Sequence, residues 1–166
     1  MTLIIFAQVF TVCLLGAISP GPSMAVVINN AIFKGRYSGI LTSIGHGIGI
    51  TVYATFAVLG LGLIIKTNIF IFNSLKILSI FFLIFIGVKS ILNQEELNLE
   101  KKNKKEKAVS FLQGFSIAIL NPKIFVWFIA FFSQFMNDNQ SFLYNCILII
   151  TAGVVDTFWY IFLTTI

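Results

Sequence analysis

The stretch Ser19-Pro20-Gly21-Pro22 interrupts the first long apolar segment of the chain. Proline donates no backbone hydrogen bond and restricts the residue before it, so a regular helix is not expected to continue through this tetrad. A second interruption, Leu120-Asn121-Pro122-Lys123, lies in a later apolar segment. Broken backbone at membrane depth must be buried in protein or line a cavity, and matched breaks in two halves of a membrane protein indicate a substrate site. The two tetrads therefore predict a transporter.

The composition indicates an integral membrane protein. Hydrophobic residues make up 58% of the 166 residues and charged residues only 10%, whereas globular proteins carry about 25% charged residues. Long apolar runs cover 1–33, 37–65, 108–137 and 139–155, and the first three exceed the ~20 residues that cross a bilayer. The N-terminus lacks the basic flank and the cleavage site of a secretory signal, so we interpret it as a retained membrane segment.

The apolar runs predict five membrane segments and one polar linker. The segments are 2–33, 39–65, 75–92, 109–135 and 142–166, with breaks at 19–22 and near 121. A continuous helix over the first segment would be roughly 46 Å long, too long for a hydrocarbon core of about 30 Å, and the break removes this mismatch. The linker 93–107 contains five lysines and four glutamates and is expected to be a solvated loop.

The distribution of cations predicts the orientation, because cytoplasmic loops carry an excess of lysine and arginine. If the linker is cytoplasmic, eight cations lie inside (Lys34, Arg36, Lys89, Lys101, Lys102, Lys104, Lys105, Lys107) and two lie outside (Lys66, Lys76). The N-terminus is then external, and the two broken segments run antiparallel. This is the arrangement of an inverted repeat of three helices plus three.

We therefore expect an all-α, polytopic transmembrane helical bundle. Its first repeat covers 1–92, its cytoplasmic linker 93–107 and its second repeat 108–166. The second repeat is incomplete, because segment five ends at Thr164-Thr165-Ile166 without a basic flank, a polar tail or a helix that matches segment three. From this we expect a C-terminally truncated chain, either a fragment or a truncated reading frame.

Small residues about one turn apart mark the second segment. They form the pairs Gly35/Gly39 and Gly45/Gly49, with Gly47 between the members of the second pair. Such spacing allows close backbone approach between membrane helices. We expect this face to pack against the broken segments.

The ordered set of motifs resembles the LysE/RhtB family of amino-acid exporters. The resemblance rests on Ser19-Pro20-Gly21-Pro22, the glycines Gly39, Gly45 and Gly49, the stretch from Leu75-Lys76 through Leu83 to Gly87, the cationic linker, Asn121-Pro122-Lys123 and Gln134-Phe135. The departures are Ser79, Phe82 and Ser133, where the family usually has Gly, Tyr and Pro, and the absent last helix. The resemblance implies a secondary transporter that exports amino acids or their derivatives across the bacterial inner membrane, driven by the proton-motive force.

The breaks offer polar groups that suit a zwitterion. A broken helix frees N–H groups at the start of its second half, where the helix dipole also favours an anion. Freed carbonyls can face the ammonium group and freed N–H groups the carboxylate. The predicted substrate site comprises Ser19, Pro20, Gly21, Pro22, Ser23, Asn121, Pro122 and Lys123. The alternative for both motifs is a purely structural kink, whose unpaired backbone groups form hydrogen bonds with neighbouring helices.

Three ionisable residues inside the apolar segments are further candidates. A carboxylate such as Asp156 is costly at membrane depth and usually functional. It is expected to bind a proton or the substrate ammonium group, or to pair with Lys123 or another polar group. Lys123 can contact a carboxylate, pair with Asp156 or donate to carbonyls that Pro122 releases. For His46 a helix-to-helix hydrogen bond is the first interpretation and a proton relay the second.

Other classes of protein lack their signatures. Cys13 and Cys146 are far apart in sequence, which favours small buried side chains over a thiol relay. A metal exporter is expected to have several His, Asp or Glu ligands in its membrane segments, and of these the segments contain only His46 and Asp156. The sequence contains no catalytic, cofactor-binding or nucleic-acid-binding motif. We therefore expect that the protein is not an enzyme and that it binds no cofactor, metal or nucleic acid. The expected partners are an amino acid, protons and the bilayer, with a homo-oligomer left open; the alternatives are an exporter of another small solute or cation, or an inactive fragment.

Overall fold

All elements in the described parts of the chain are α-helices. The computed structural model describes residues 3–92, 107–136 and 140–166. The helices are α1 (Leu3–Ile18), α2 (Pro22–Lys34), α3 (Arg36–Thr67), α4 (Ile69–Leu92), α5 (Lys107–Leu120), α6 (Pro122–Phe135) and α7 (Phe142–Thr165). The prediction of an all-α fold is confirmed. The predicted linker lies outside the described residues, except for Lys107 at the start of α5.

Both predicted helix breaks are present. The axes of α1 and α2 differ by 65°, and those of α5 and α6 differ by 58°. Pro22 and Pro122 are the first residues of α2 and α6, where the missing N–H of proline costs no helical hydrogen bond. Asn121 caps α6 because its side-chain oxygen accepts a hydrogen bond from Lys123 N at 3.0 Å. Gly21 precedes α2 and has no side chain that could act as a cap.

Several helices in the described parts are long and apolar enough to cross a membrane. They are Arg36–Leu61 within α3, the whole of α7 and, if each bent pair is one span, α1 with α2 and α5 with α6. Large apolar side chains such as Phe56 and Phe158 are each 70% exposed on these spans, as expected for surfaces that face lipid. The predicted polytopic bundle is confirmed. The third predicted segment is present as α4, but it is not among these spans, so its crossing remains a prediction.

Helix α3 packs most extensively against α5 and α7. A β-carbon on Gly45 would overlap the carbonyl group of Phe111 in α5, and one on Gly47 would overlap Thr157 in α7. Gly114 gives α5 a matching close approach to the backbone of α3. The predicted close packing against a broken segment is therefore confirmed for Gly45, where no larger residue fits, whereas the equally close contact of Gly47 is with the unbroken α7.

Gly35 has a different role from the one predicted for it. It lies between α2 and α3 with φ of 93°, and nothing approaches the position of an added β-carbon within 4 Å. This backbone conformation is strained for residues with a β-carbon and is available to glycine. Gly35 therefore serves the turn and not the packing face.

Candidate functional site

A cavity of about 60 Å³ lies where the two helix breaks meet α3 and α7. Seven of the ten predicted site residues line it: Ser19, Gly21, Ser23, His46, Asn121, Lys123 and Asp156. Pro20, Pro22 and Pro122 do not line it, and all three are exposed. A cavity of this size has room for several water molecules beside its polar groups. The structure thus brings both breaks and both buried ionisable residues to one space.

Side chains from the two breaks are hydrogen-bonded to each other. Asn121 Nδ2 donates to Ser23 Oγ at 3.1 Å, and both side chains are buried. The oxygen of the same Asn121 side chain caps α6. The Asn121 amide therefore caps the N-terminus of α6 and also holds it against the N-terminus of α2. Because the two half-helices begin side by side, their positive dipole ends face a common region.

Lys123 connects the second break to the first. Its Nζ donates to Ser19 Oγ at 2.7 Å and to the Pro20 carbonyl at 2.9 Å, and it lies 3.5 Å from the Ser19 carbonyl. These carbonyls follow α1, where the helix has run out of N–H partners. One of the partners that the sequence suggests for Lys123 is a carbonyl released by Pro122. The structure shows the ammonium group donating across to the oxygens of the other break.

His46 and Asp156 form a buried pair between α3 and α7. Nδ1 of His46 lies 2.7 Å from Oδ2 of Asp156, and the two residues are 1% and 6% exposed. The helix-to-helix hydrogen bond expected for His46 is confirmed, and this imidazole is the partner that the structure assigns to the carboxylate. The ring of Tyr160 meets the imidazole edge-on, with 4.8 Å between the centroids. Nε2 of His46 has no hydrogen-bond partner among the described residues.

Several cavity residues escaped the sequence interpretation. Trp127 and Tyr160 line the cavity, together with Cys13, Gly16, Ala17, Ile50, Ile124, Phe128 and Ala152. A signal for two of them was available. Trp127 follows Lys123 by four residues and Tyr160 follows Asp156 by four, so each shares a helix face with a predicted site residue. The remaining lining residues are small, aliphatic or, in Phe128, aromatic, and they carry no motif.

A second buried polar cluster joins α2, α3 and α5 and was also not predicted. Asn30 Nδ2 donates to Thr42 Oγ1 at 2.8 Å and to Gln113 Oε1 at 3.0 Å. Lys34 Nζ donates to the same Gln113 oxygen at 2.8 Å. Asn30 is eight residues beyond the start of α2, about 12 Å along the helix. This cluster therefore fastens the far end of α2 to α5.

The chain is similar to known membrane proteins over most of its length. The family model described as LysE type translocator matches residues 14–166. Membrane protein YrhP of Bacillus subtilis (strain 168) is 29% identical over 162 residues, which cover 90% of this chain and 76% of YrhP. Leucine efflux proteins of Salmonella choleraesuis (strain SC-B67) and Salmonella typhi are 30% identical over 122 residues, which cover 71% of this chain and 57% of each relative.

No solved structure matches the chain. The match to the family model includes both helix breaks, the His46–Asp156 pair and the whole lining of the cavity except Cys13. The chain therefore belongs to the LysE type translocator family, whose members are multi-pass membrane transporters rather than enzymes.

Proposed function

We propose that this protein exports neutral amino acids with apolar side chains across the bacterial inner membrane, in exchange for protons. The observation that carries the proposal is the cavity in which two helix breaks, an ammonium group and a buried carboxylate–imidazole pair converge. Family membership supports transport, and the names of the leucine efflux relatives support an amino acid as the transported solute. A zwitterion inside the membrane needs partners for both of its charges, and this cavity contains groups of both kinds.

The lining of the cavity favours a side chain without charge. Ile50, Ile124, Trp127, Phe128 and Ala152 provide apolar walls. A substrate with a charged side chain would bring an extra charge into the membrane interior, where an unpaired charge is costly. An aliphatic or aromatic side chain instead gains from burial against these walls.

The His46–Asp156 pair supplies a group that can exchange one proton. With the proton bound the pair carries no net charge, either as carboxylate and imidazolium or as two neutral groups. Loss of the proton leaves one negative charge on the pair. That charge attracts a substrate ammonium group, whereas the neutral pair does not. Proton binding and substrate binding therefore oppose each other, and such competition is the basis of antiport.

Transport by purified protein in liposomes tests the proposal. Vesicles loaded with unlabelled leucine should take up labelled leucine by exchange, and an imposed pH gradient should drive accumulation. Lysine serves as the charged comparison and should exchange much more slowly. Vesicles without protein give the background. If leucine, valine and phenylalanine all exchange at the background rate, the proposed function is wrong.

A further inference from the structure

We infer that Lys123 occupies the subsite for the substrate's ammonium group while the cavity is empty, and that an incoming amino acid displaces it. The inference rests on the proposed function, because it divides the proposed amino-acid site into parts. Its basis is the position of Lys123 Nζ at 2.7 Å from Ser19 Oγ, 2.9 Å from Pro20 O and 3.5 Å from Ser19 O. All three oxygens belong to the first helix break, and both Ser19 and Lys123 line the cavity.

The three oxygens match the chemistry of a primary ammonium group. Such a group has three N–H donors and no acceptor. The α-ammonium group of an amino acid and the ε-ammonium group of lysine are the same in this respect, so a set of acceptors that satisfies one also fits the other. The carbonyls of Ser19 and Pro20 accept a donor from outside their own helix because α1 ends at Ile18 and α2 begins only at Pro22, so the chain between them lacks helical hydrogen bonding.

The local electrostatics allow Lys123 to leave these oxygens when a carboxylate arrives. Lys123 is the second residue of α6, and a cation is disfavoured near the N-terminus of a helix by the helix dipole. The carboxylate of a bound amino acid would offset this unfavourable interaction by pairing with the Lys123 ammonium group. The backbone is held independently, since Asn121 Oδ1 caps Lys123 N at 3.0 Å. The flexible four-carbon side chain can therefore move while the helix start stays in place.

Displacement links the two ends of the substrate. The α-ammonium group takes the oxygens of Ser19 and Pro20, and the released Lys123 ammonium meets the α-carboxylate near the uncapped start of α2. An amine without a carboxylate displaces Lys123 but offers it no anion. An amino acid is therefore bound more tightly than the corresponding amine, and Lys123 enforces this selectivity.

The test compares leucine with 3-methylbutylamine, which is leucine without its carboxylate. Lys123→Met removes the internal competitor without removing side-chain length, and Lys123→Gln is the second variant. If Lys123 occupies the oxygens for about nine-tenths of the time or more, its removal should tighten amine binding by about tenfold or more. Leucine binding should weaken at the same time. Lys66→Met, at the exposed end of α3, controls for the loss of one positive charge.

Isothermal titration with the whole chain in lipid nanodiscs gives both dissociation constants. Adding Ser19→Ala to Lys123→Met should weaken amine binding again, because it removes the oxygen at 2.7 Å. If wild-type protein binds leucine but neither Lys123 variant binds the amine more tightly, the inference is wrong and the proposed function stands. If wild-type protein binds none of leucine, valine and phenylalanine, both are wrong.

Discussion

Asp156 and His46 are 110 positions apart in sequence, and they meet at 2.7 Å. An ionised carboxylate this deeply buried needs a compensating partner. The imidazole of His46 is such a partner, because its Nδ1 lies within hydrogen-bond distance of the carboxylate and can share a proton with it. At the scale of single residues, the pair is therefore the candidate for proton coupling.

Replacing Asp156 with asparagine tests this assignment. Asparagine keeps the shape and can still hydrogen-bond to His46, but it cannot carry the negative charge. We expect the variant to fold and to exchange leucine, while accumulation driven by a pH gradient is abolished. Labelled leucine in vesicles with an imposed gradient is the measurement. Cys146→Ser, a half-buried position on the same helix, is the control. If Asp156→Asn accumulates leucine as the parent does, another residue must couple transport to protons, and His46 is the next candidate.

At the scale of helices, the two breaks determine which backbone groups reach the cavity. The first break frees the carbonyls of Ser19 and Pro20, which Lys123 contacts. The second is capped by Asn121, whose amide also holds Ser23. Since Pro22 is already at the first position of α2, where proline is well tolerated, Pro20 is the stronger breaker of the two.

The double variant Pro20→Ala, Pro22→Ala should favour a continuous helix through the first break. Straightening would move the Ser19 and Pro20 carbonyls back into helical hydrogen bonds. The loss of one charge-assisted hydrogen bond of about 1.5–3 kcal/mol corresponds to a fall in substrate affinity of about ten- to hundredfold. Leucine exchange is the measurement, and membrane insertion, checked by fractionation, should persist. Pro22→Ala alone is the matched control and should have the smaller effect; unchanged exchange in the double variant would contradict the binding role of the break.

The link between α2 and α5 gives a prediction about stability. Gln113 accepts hydrogen bonds from Asn30 and Lys34, and the Asn30 side chain is buried. Gln113→Ala leaves one amide hydrogen of Asn30 without this acceptor, so we expect a loss of about 1–3 kcal/mol in the free energy of unfolding. Thermal unfolding in detergent should show a lower Tm. Ser116→Ala, exposed on the same helix, is the control, and an equal Tm for the two variants would exclude a stabilising role for the Gln113 contacts.

At the scale of the whole molecule, the structure places two predicted cytoplasmic regions at one end of the bundle. Lys34 contacts Gln113, which lies six residues after the start of α5, less than two turns from it. The turn between α2 and α3 and the start of α5 are therefore near each other. This proximity supports the orientation in which both face the cytoplasm, because the positive residues then accumulate on one side.

Cysteine labelling in intact cells tests this orientation. A cysteine at position 98, on a background in which Cys13 and Cys146 are replaced by serine, should resist a membrane-impermeant thiol reagent until the cells are opened. A cysteine at position 2 should react from outside, because the N-terminus is predicted to be external. Labelling of position 98 in unopened cells would show that the predicted orientation is wrong.

The sequence alone was sufficient for features that arise from local chemistry. The composition predicts a membrane protein. Because proline has no backbone N–H group, Pro20, Pro22 and Pro122 predict where both helices break. Glycine spacing predicts the close contact of Gly45 with a broken segment, whereas Gly47 packs against α7 and Gly35 forms a turn. These signals are readable because each depends on a residue and its near neighbours.

Only the tertiary structure decided which polar groups are partners. Lys123 contacts Ser19 across 104 positions, His46 contacts Asp156 across 110, and Asn30 contacts Gln113 across 83. No periodicity or spacing encodes these distances, because they depend on how the helices bend and cross. The sequence by itself determined the membrane environment, the helices and the positions of their breaks. The packing of α2, α3, α5, α6 and α7 decided the partners, because buried polar groups pair with whichever groups that packing brings within reach.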